Sequence, residues 1–267
     1  NFLINDFYMI KNSISLYTDV TYTESGGDAT ITGCVGACPD VVRIPPIIDG
    51  FTVTAIADLA FYNESLTGLT LPNSITDIGA SAFKDNLLTS IVLPSSLITL
   101  QGLAFDNNNL TSAIIGDSVT SIGSYSFNNN DLTSVTIGVS VTRIGNSAFW
   151  GNDLTSVIIP SSVTIIEGGA FFGNDLTSVT IPEGITIINS RVFQGNDLTS
   201  VTIPSSVTSI ATFAFQSNSL STLAFDGDRP VIASNSFSAN SITTITYITG
   251  KTGWPGADIE SVTPTAV

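Results

Sequence analysis

Histidine is absent from this 267-residue chain, methionine occurs once and tryptophan twice. Without histidine there is no Ser-His-Asp or Cys-His catalysis and no imidazole ligand for a metal. No G-x-x-x-x-G-K-[ST] run is present, so the phosphate cradle of P-loop enzymes is missing too. Paired carboxylates for glycoside hydrolysis need a cleft, and a chain with no long insertion supplies none. The sequence therefore reads as non-enzymatic and free of cofactors, calcium excepted below.

Charge is scarce as well. Charged residues make up 11% of the chain against a typical ~25%, and Ser, Thr, Asn and Gly take their place. Seven basic and 22 acidic residues leave a net charge of −15. The basic residues stand singly, so no patch can neutralise a phosphate backbone, and nucleic acid is excluded as a partner. No run of apolar residues reaches the length of a bilayer span, which excludes membrane insertion through a helix. The opening "NFLINDFYMI" is apolar but broken by Asn5 and Asp6, and lacks a basic start and a cleavage site, so it is not an intact signal peptide. With Asn at position 1 the sequence reads as a mature or trimmed product.

Cysteine is limited to Cys34 and Cys38 in "GCVGACP". A spacing of four in a Gly-containing turn allows a small disulfide, which fits an oxidising compartment; the other reading is two free thiols. Zinc is poorly supported, with no histidine and no second cysteine pair.

What the chain has in quantity is repetition. Leucines 66, 88, 110, 132, 154, 176, 198 and 220 are each 22 residues apart, with Ile242 in the ninth place. Phenylalanines 61, 83, 105, 127, 149, 171, 193, 215 and 237 keep the same step. A period in the twenties held without a slip means a solenoid whose coils stack side by side. Within a unit such as Leu154-Thr155-Ser156-Val157-Ile158-Ile159-Pro160, offsets 0, +3 and +5 from the leucine are apolar. Val157 and Ile159 are thus expected inside and the residue between them outside. Pro or Gly at +6 ends the strand, since proline has no ladder donor. Offsets +9 and +12 and the phenylalanine complete one continuous core. Nine or ten coils at ~4.8 Å give a body roughly 45 Å long.

Units reading "LTSVTIPSSVTSIxxxAFxxN" resemble the BspA-type leucine-rich repeats of bacterial surface and secreted proteins, over about residues 44–248. The resemblance implies an all-β, right-handed solenoid of 22-residue coils with a parallel β-sheet and little α-helix. It also implies an extracellular or cell-surface location and a role in adhesion or protein recognition. One departure is the +8 position, where the usual Asn gives way to Ser or Gly (Ser74, Ser96, Ser118, Ser140, Ser162, Gly184, Ser206). The expected organisation is an N-terminal cap or connector over 1–42, the solenoid over 43–248, and a C-terminal tail or cap over 249–267.

Several columns are candidates for the surface. Asn86, Asn108, Asn130, Asn152, Asn174, Asn196, Asn218 and Asn240 stand two places before each leucine. They are expected to bond to nearby main chain and to one another along the stack; carbohydrate or another ligand is the alternative. None sits in an N-x-S/T sequon. Asp131, Asp153, Asp175 and Asp197 form a carboxylate column, read either as Asx-turns onto the N–H two residues on or as a calcium site. Thr133, Thr155, Thr177 and Thr199, with Thr136, Thr180 and Thr202, form the candidate binding face. β-Branched threonine also suits exposed strands for its own sake, and a regular threonine lattice is a candidate for binding ice. Phe2, Leu3, Ile4, Phe7 and Tyr8 are candidates for self-association. They cover the chain's own first coil or dock on another copy's last one, which would build a head-to-tail filament. The partners expected are a protein or surface ligand, or other copies of the chain.

Overall fold

In the computed structural model, residues 20–254, 259 and 262–266 are described, so Phe2, Leu3, Ile4, Phe7 and Tyr8 lie outside them. The chain winds into a β-solenoid of about 11 turns with coils of about 22 residues, and there is no helix among the described residues. Two ladders of short parallel strands run along it. One carries offsets +2 to +5 of successive coils, as in Ser112–Ile114 beside Ser134–Thr136, with Ser112 opposite Ser134. The other carries offsets +11 and +12, as in Ser121–Ile122 beside Arg143–Ile144. The register step equals the sequence period, so each side chain stacks on its own counterpart. The ladders outrun the nine or ten coils marked by the leucine and phenylalanine columns. Val41–Arg43 pairs with Gly68–Thr70, and Thr265–Ala266 pairs with Tyr247 and its neighbour.

The core follows the apolar offsets. Leu154, Val163, Ile166 and Phe171 are all at most 3% exposed, while Ile158, between Val157 and Ile159, is 85% exposed. Period two within a strand therefore decides which side each residue faces. The phenylalanines form one unbroken stack, with adjacent centroids 5.6 Å apart at Phe127–Phe149 and 5.4 Å at Phe149–Phe171. That is wider than a strand spacing, as an offset ring stack requires. Each corner after the first ladder is a turn closed by the Pro or Gly carbonyl, with Val163 N–H donating to Pro160 O at 3.0 Å. Proline can hold this place because its own missing N–H is not asked for.

Five of the +8 serines, where commoner repeats carry Asn, tie their coil to the one before. Ser96 Oγ donates to Ile75 O at 2.6 Å and Ser162 Oγ to Val141 O at 2.7 Å. The asparagine column is not a surface feature. Asn86 to Asn196 are 4–6% exposed, and the amides bond to main chain rather than to each other. Asn152 Oδ1 accepts the Leu132 N–H at 3.1 Å, and its Nδ2 donates to Phe127 O at 2.9 Å and Phe149 O at 3.1 Å. The reason is spatial: two carbonyls and an N–H of adjacent coils converge on each amide, leaving it nothing to share with the next.

Both ends carry added structure. A hairpin of strands Val20–Ser25 and Asp28–Cys34 lies beside Phe51–Ile56, turning at Gly26 and Gly27 with φ of 63° and 97°. Two successive positive φ values define the primed turn that matches strand twist, and glycine takes them without strain. Cys34 and Cys38 are joined by a disulfide, Cα to Cα 5.3 Å. At the other end Trp254 is buried, stacked 5.1 Å from Tyr247 and tilted 4.6 Å from Phe225, with Nε1 donating to Gly227 O at 3.2 Å.

Candidate functional site

The strand face presents the threonines. Thr133, Thr155, Thr177 and Thr199 at +1, and Thr136, Thr180 and Thr202 at +4, are all exposed. Their separation into two columns follows from the register step of 22. The +1 hydroxyls lean back onto the previous coil: Thr133 Oγ1 lies 3.3 Å from Thr111 O and Thr177 Oγ1 3.5 Å from Thr155 O. At such lengths these are weak bonds, and the hydroxyls keep most of their capacity for a partner. Thr180 and Thr202 line an open recess of about 440 Å³ together with Pro182, Glu183, Pro204 and Asp226. The +4 column is not pure hydroxyl, because Val92, Ile114 and Ile158 interrupt it with exposed aliphatic groups.

Asp131, Asp153, Asp175 and Asp197 are exposed, one per coil. Of the two readings, the Asx-turn is blocked at Asp131 and Asp175, where the N–H two residues on is already engaged: Thr133 N donates to Thr111 O at 3.0 Å and Thr177 N to Thr155 O at 3.2 Å. Among the described residues no three His, Cys, Asp or Glu side chains gather where they could hold a metal. Calcium needs six to eight oxygens, and the column offers a row rather than a cage.

Three features of the surface are not singled out by the sequence reading. The first is a third threonine column at +10, where Thr142 Oγ1 donates to Thr120 O at 3.1 Å and Thr208 Oγ1 to Thr186 O at 3.1 Å. The second is a pair of left-handed columns in the turn that carries the phenylalanines. One is filled by residues that tolerate it, such as Asn107, Asn129, Gly151 and Gly173 (φ 50–65°). The other holds Leu103, Tyr125, Arg191 and Phe213 at φ of 58–63°. L-residues of this kind lose about 1–2 kcal/mol each there relative to glycine.

The third is a change of chemistry along a neighbouring column. Lys84 pairs with Asp106, and Asn128 Nδ2 donates to Asp106 Oδ1 at 2.7 Å. Burial pushes the Lys84 ammonium down, but its hydrogen bond to Asp106 and the nearby negative charge outweigh that and raise its pKa. Farther along, Gln194 Nε2 donates to Gln216 Oε1 at 2.6 Å, and Gln216 Nε2 to Ser238 Oγ at 3.1 Å. Between these two polar runs stand Trp150 and Phe172, rings stacked at 5.3 Å. The insertion leaves the buried Asn128 Oδ1 and Gln194 Oε1 without hydrogen-bond partners. A break in an otherwise polar column is the signal by which the sequence could have shown it.

The comparisons agree on the architecture. The family model described as "BspA type Leucine rich repeat region (6 copies)" matches residues 54–175 and 165–253. No curated protein matches the chain. Among solved structures, a leucine-rich repeat protein from Bacteroides ovatus is 20% identical, covering 93% of this chain and 75% of its own, with a TM-score of 0.51. The pneumococcal vaccine antigen PcpA is 17% identical, covering 86% of this chain and 80% of its own, with a TM-score of 0.60. At these identities the likeness is one of fold.

Proposed function

The chain belongs to the BspA-type leucine-rich repeat family, and on that premise we propose that it is a non-enzymatic adhesion or protein-recognition module displayed outside a bacterial cell. The observation that carries the reading is the rigid strand face. Thr133, Thr155, Thr177 and Thr199 are exposed at fixed spacing over one continuous core, with catalytic histidine absent from the whole chain. Such a face binds through shape and many small contacts, because it carries few of the aromatic and Arg anchors that concentrate binding energy. The Cys34–Cys38 disulfide and the low ionic content support the extracellular setting. No helix among the described residues is long and apolar enough to cross a membrane.

The test is adherence. Cells displaying the chain are compared with bare cells on protein-coated and cell-monolayer surfaces. A variant with Thr155→Lys and Thr177→Lys, both at exposed positions, is expected to fold and to lose the added adherence. Equal adherence by bare cells and displaying cells on every surface refutes the reading. Light scattering on the purified chain separates a single adhesive molecule from a head-to-tail filament built through Phe7 and Tyr8. The hairpin and Trp254, which occupy the two ends, weigh towards separate molecules. Ice binding, measured as thermal hysteresis, is disfavoured by the exposed Ile158 in the threonine column.

A further inference from the structure

The left-handed position recurs in every coil, from Leu59 to Asn235, as part of the turn itself, whereas Trp150 and Phe172 interrupt a hydrogen-bonded column. That interruption does not serve the core, which is complete in the neighbouring coils without it. It borders one recess. Gly168 and Gly169 leave a notch of about 370 Å³ between Tyr125 and Ser147 on one side and Arg191 and Phe213 on the other. A Cβ on Gly168 would stand 3.3 Å from Asn146 Nδ2, and one on Gly169 3.0 Å from Ser147 Oγ, so the absence of side chains keeps the floor open. An aromatic pair that breaks a polar column at the cost of lost pairing, beside an open recess, points from structure to binding.

We infer that this notch is a saccharide-binding site, taking a sugar ring on the Trp150–Phe172 face with its hydroxyls held by the rim. The volume lies at the lower end of small-molecule sites, which span about 300–1,000 Å³. A protein partner needs about 800 Å² from each side, whereas the aromatic pair gives way to Asn128 on one side and to Gln194 and Gln216 on the other. The exposed part of Trp150, with Phe172 stacked beside it, offers apolar ring surface to the C–H face of a pyranose. The rim is neutral and hydrogen-bonding: Asn146, Ser147, Ser190 and Thr212 supply amide and hydroxyl groups, and no carboxylate lines the recess. Arg191, with its guanidinium 5.6 Å above the Phe213 ring, adds a fork of donors and the single positive charge. In a chain of net charge −15, an uncharged or singly acidic glycan meets less repulsion here than an acidic protein does.

The experiment is calorimetric titration of the full chain with chitotriose, cellotriose, maltotriose and sialyllactose, paired with tryptophan fluorescence. At least one of these is expected to give a saturable heat and a change in Trp150 emission. Two variants are built so that the fold survives. Arg191→Gly relieves the left-handed backbone and is expected to melt no lower than the parent while losing about tenfold or more in affinity. Trp150→Gln with Phe172→Gln continues the amide column of Gln194 and Gln216 and is expected to fold and to bind nothing. No saturable heat from any of the four sugars overturns the inference. So does a sugar bound equally well by the parent and both variants. If the sugars fail while the variants lose the adherence described above, the notch serves a protein, and the saccharide assignment falls without the adhesion reading.

Discussion

Asn152 reaches across a coil to the carbonyl of Phe127, 25 residues earlier, with Nδ2 to O at 2.9 Å, while its Oδ1 holds the N–H of Leu132. One side chain thus closes the turn before the strand of its own coil and fixes the same turn in the coil before it. The geometry repeats at Asn130, which bonds Phe105 O and Leu110 N.

Removing that amide exposes its worth. Asn152→Ala leaves the Leu132 N–H and Phe127 carbonyl buried and unpaired, and is expected to cost about 2–6 kcal/mol at one to three per group. Asn152→Asp keeps the acceptor but loses the donor. Its carboxylate faces carbonyl oxygens, so its folded pKa must rise and its stability deficit must shrink as pH falls. Denaturant melts across pH decide it: a pH-independent deficit contradicts the bonding scheme.

The ring stack sets a second expectation. Phe149 is fully buried between Phe127 and Phe171, so Phe149→Ala opens a cavity worth about 3–5 kcal/mol. A loss under about 1 kcal/mol in the same melts would mean that neighbouring coils slide inward to refill the space.

Acid is expected to loosen the C-terminal end. Asp228 Oδ1 accepts the Thr252 N–H at 2.7 Å, and that bond lowers its pKa from the ordinary 3.8. A folded pKa below the unfolded value gives stabilisation present above about pH 4 and lost as pH falls through the folded value. Trp254, two residues beyond Thr252, reports the change. Its near-ultraviolet circular dichroism signal is expected to fade at low pH in the parent, and to be weakened and flat across that range in Asp228→Asn.

The disulfide is a local staple. With a sequence separation of four, it closes so small a loop that chain entropy allows only about 2 kcal/mol. Reduction is expected to lower the melting point modestly and to leave the coils beyond Phe61 intact, as hydrogen exchange will show by protection lost only in the hairpin region.

The exposed carboxylates carry the last expectation. Asp153→Asn with Asp175→Asn removes like charges one coil apart and is expected to add up to about 1 kcal/mol at low ionic strength, vanishing in salt. A loss of stability that appears only when calcium is present would reinstate a metal along that column.

How far the sequence reaches is visible in particular residues. Leu66 and Phe149 are legible because a burial requirement repeats at fixed period. The Pro160 corner is legible because proline lacks a donor. Asn152 is legible as a column but not as a buried one, since its partners belong to two coils whose carbonyl directions only the fold defines. Tyr125 and Arg191 carry no mark of their left-handed backbone, because residue type signals that region only for Gly, Asn and Asp. Trp150 is legible in principle as an aromatic in a column of Lys84, Asp106, Asn128 and Gln194, but only against a register already aligned.

Because each asparagine bridges only to the coil beside it, the molecule has no tie from end to end. Tension applied between the termini is borne in series, and the weakest terminal coil yields first. Each coil of about 22 residues then releases about 70 Å of chain, lengthening the molecule stepwise while the coils behind it hold. A solenoid built this way extends under load before it gives way.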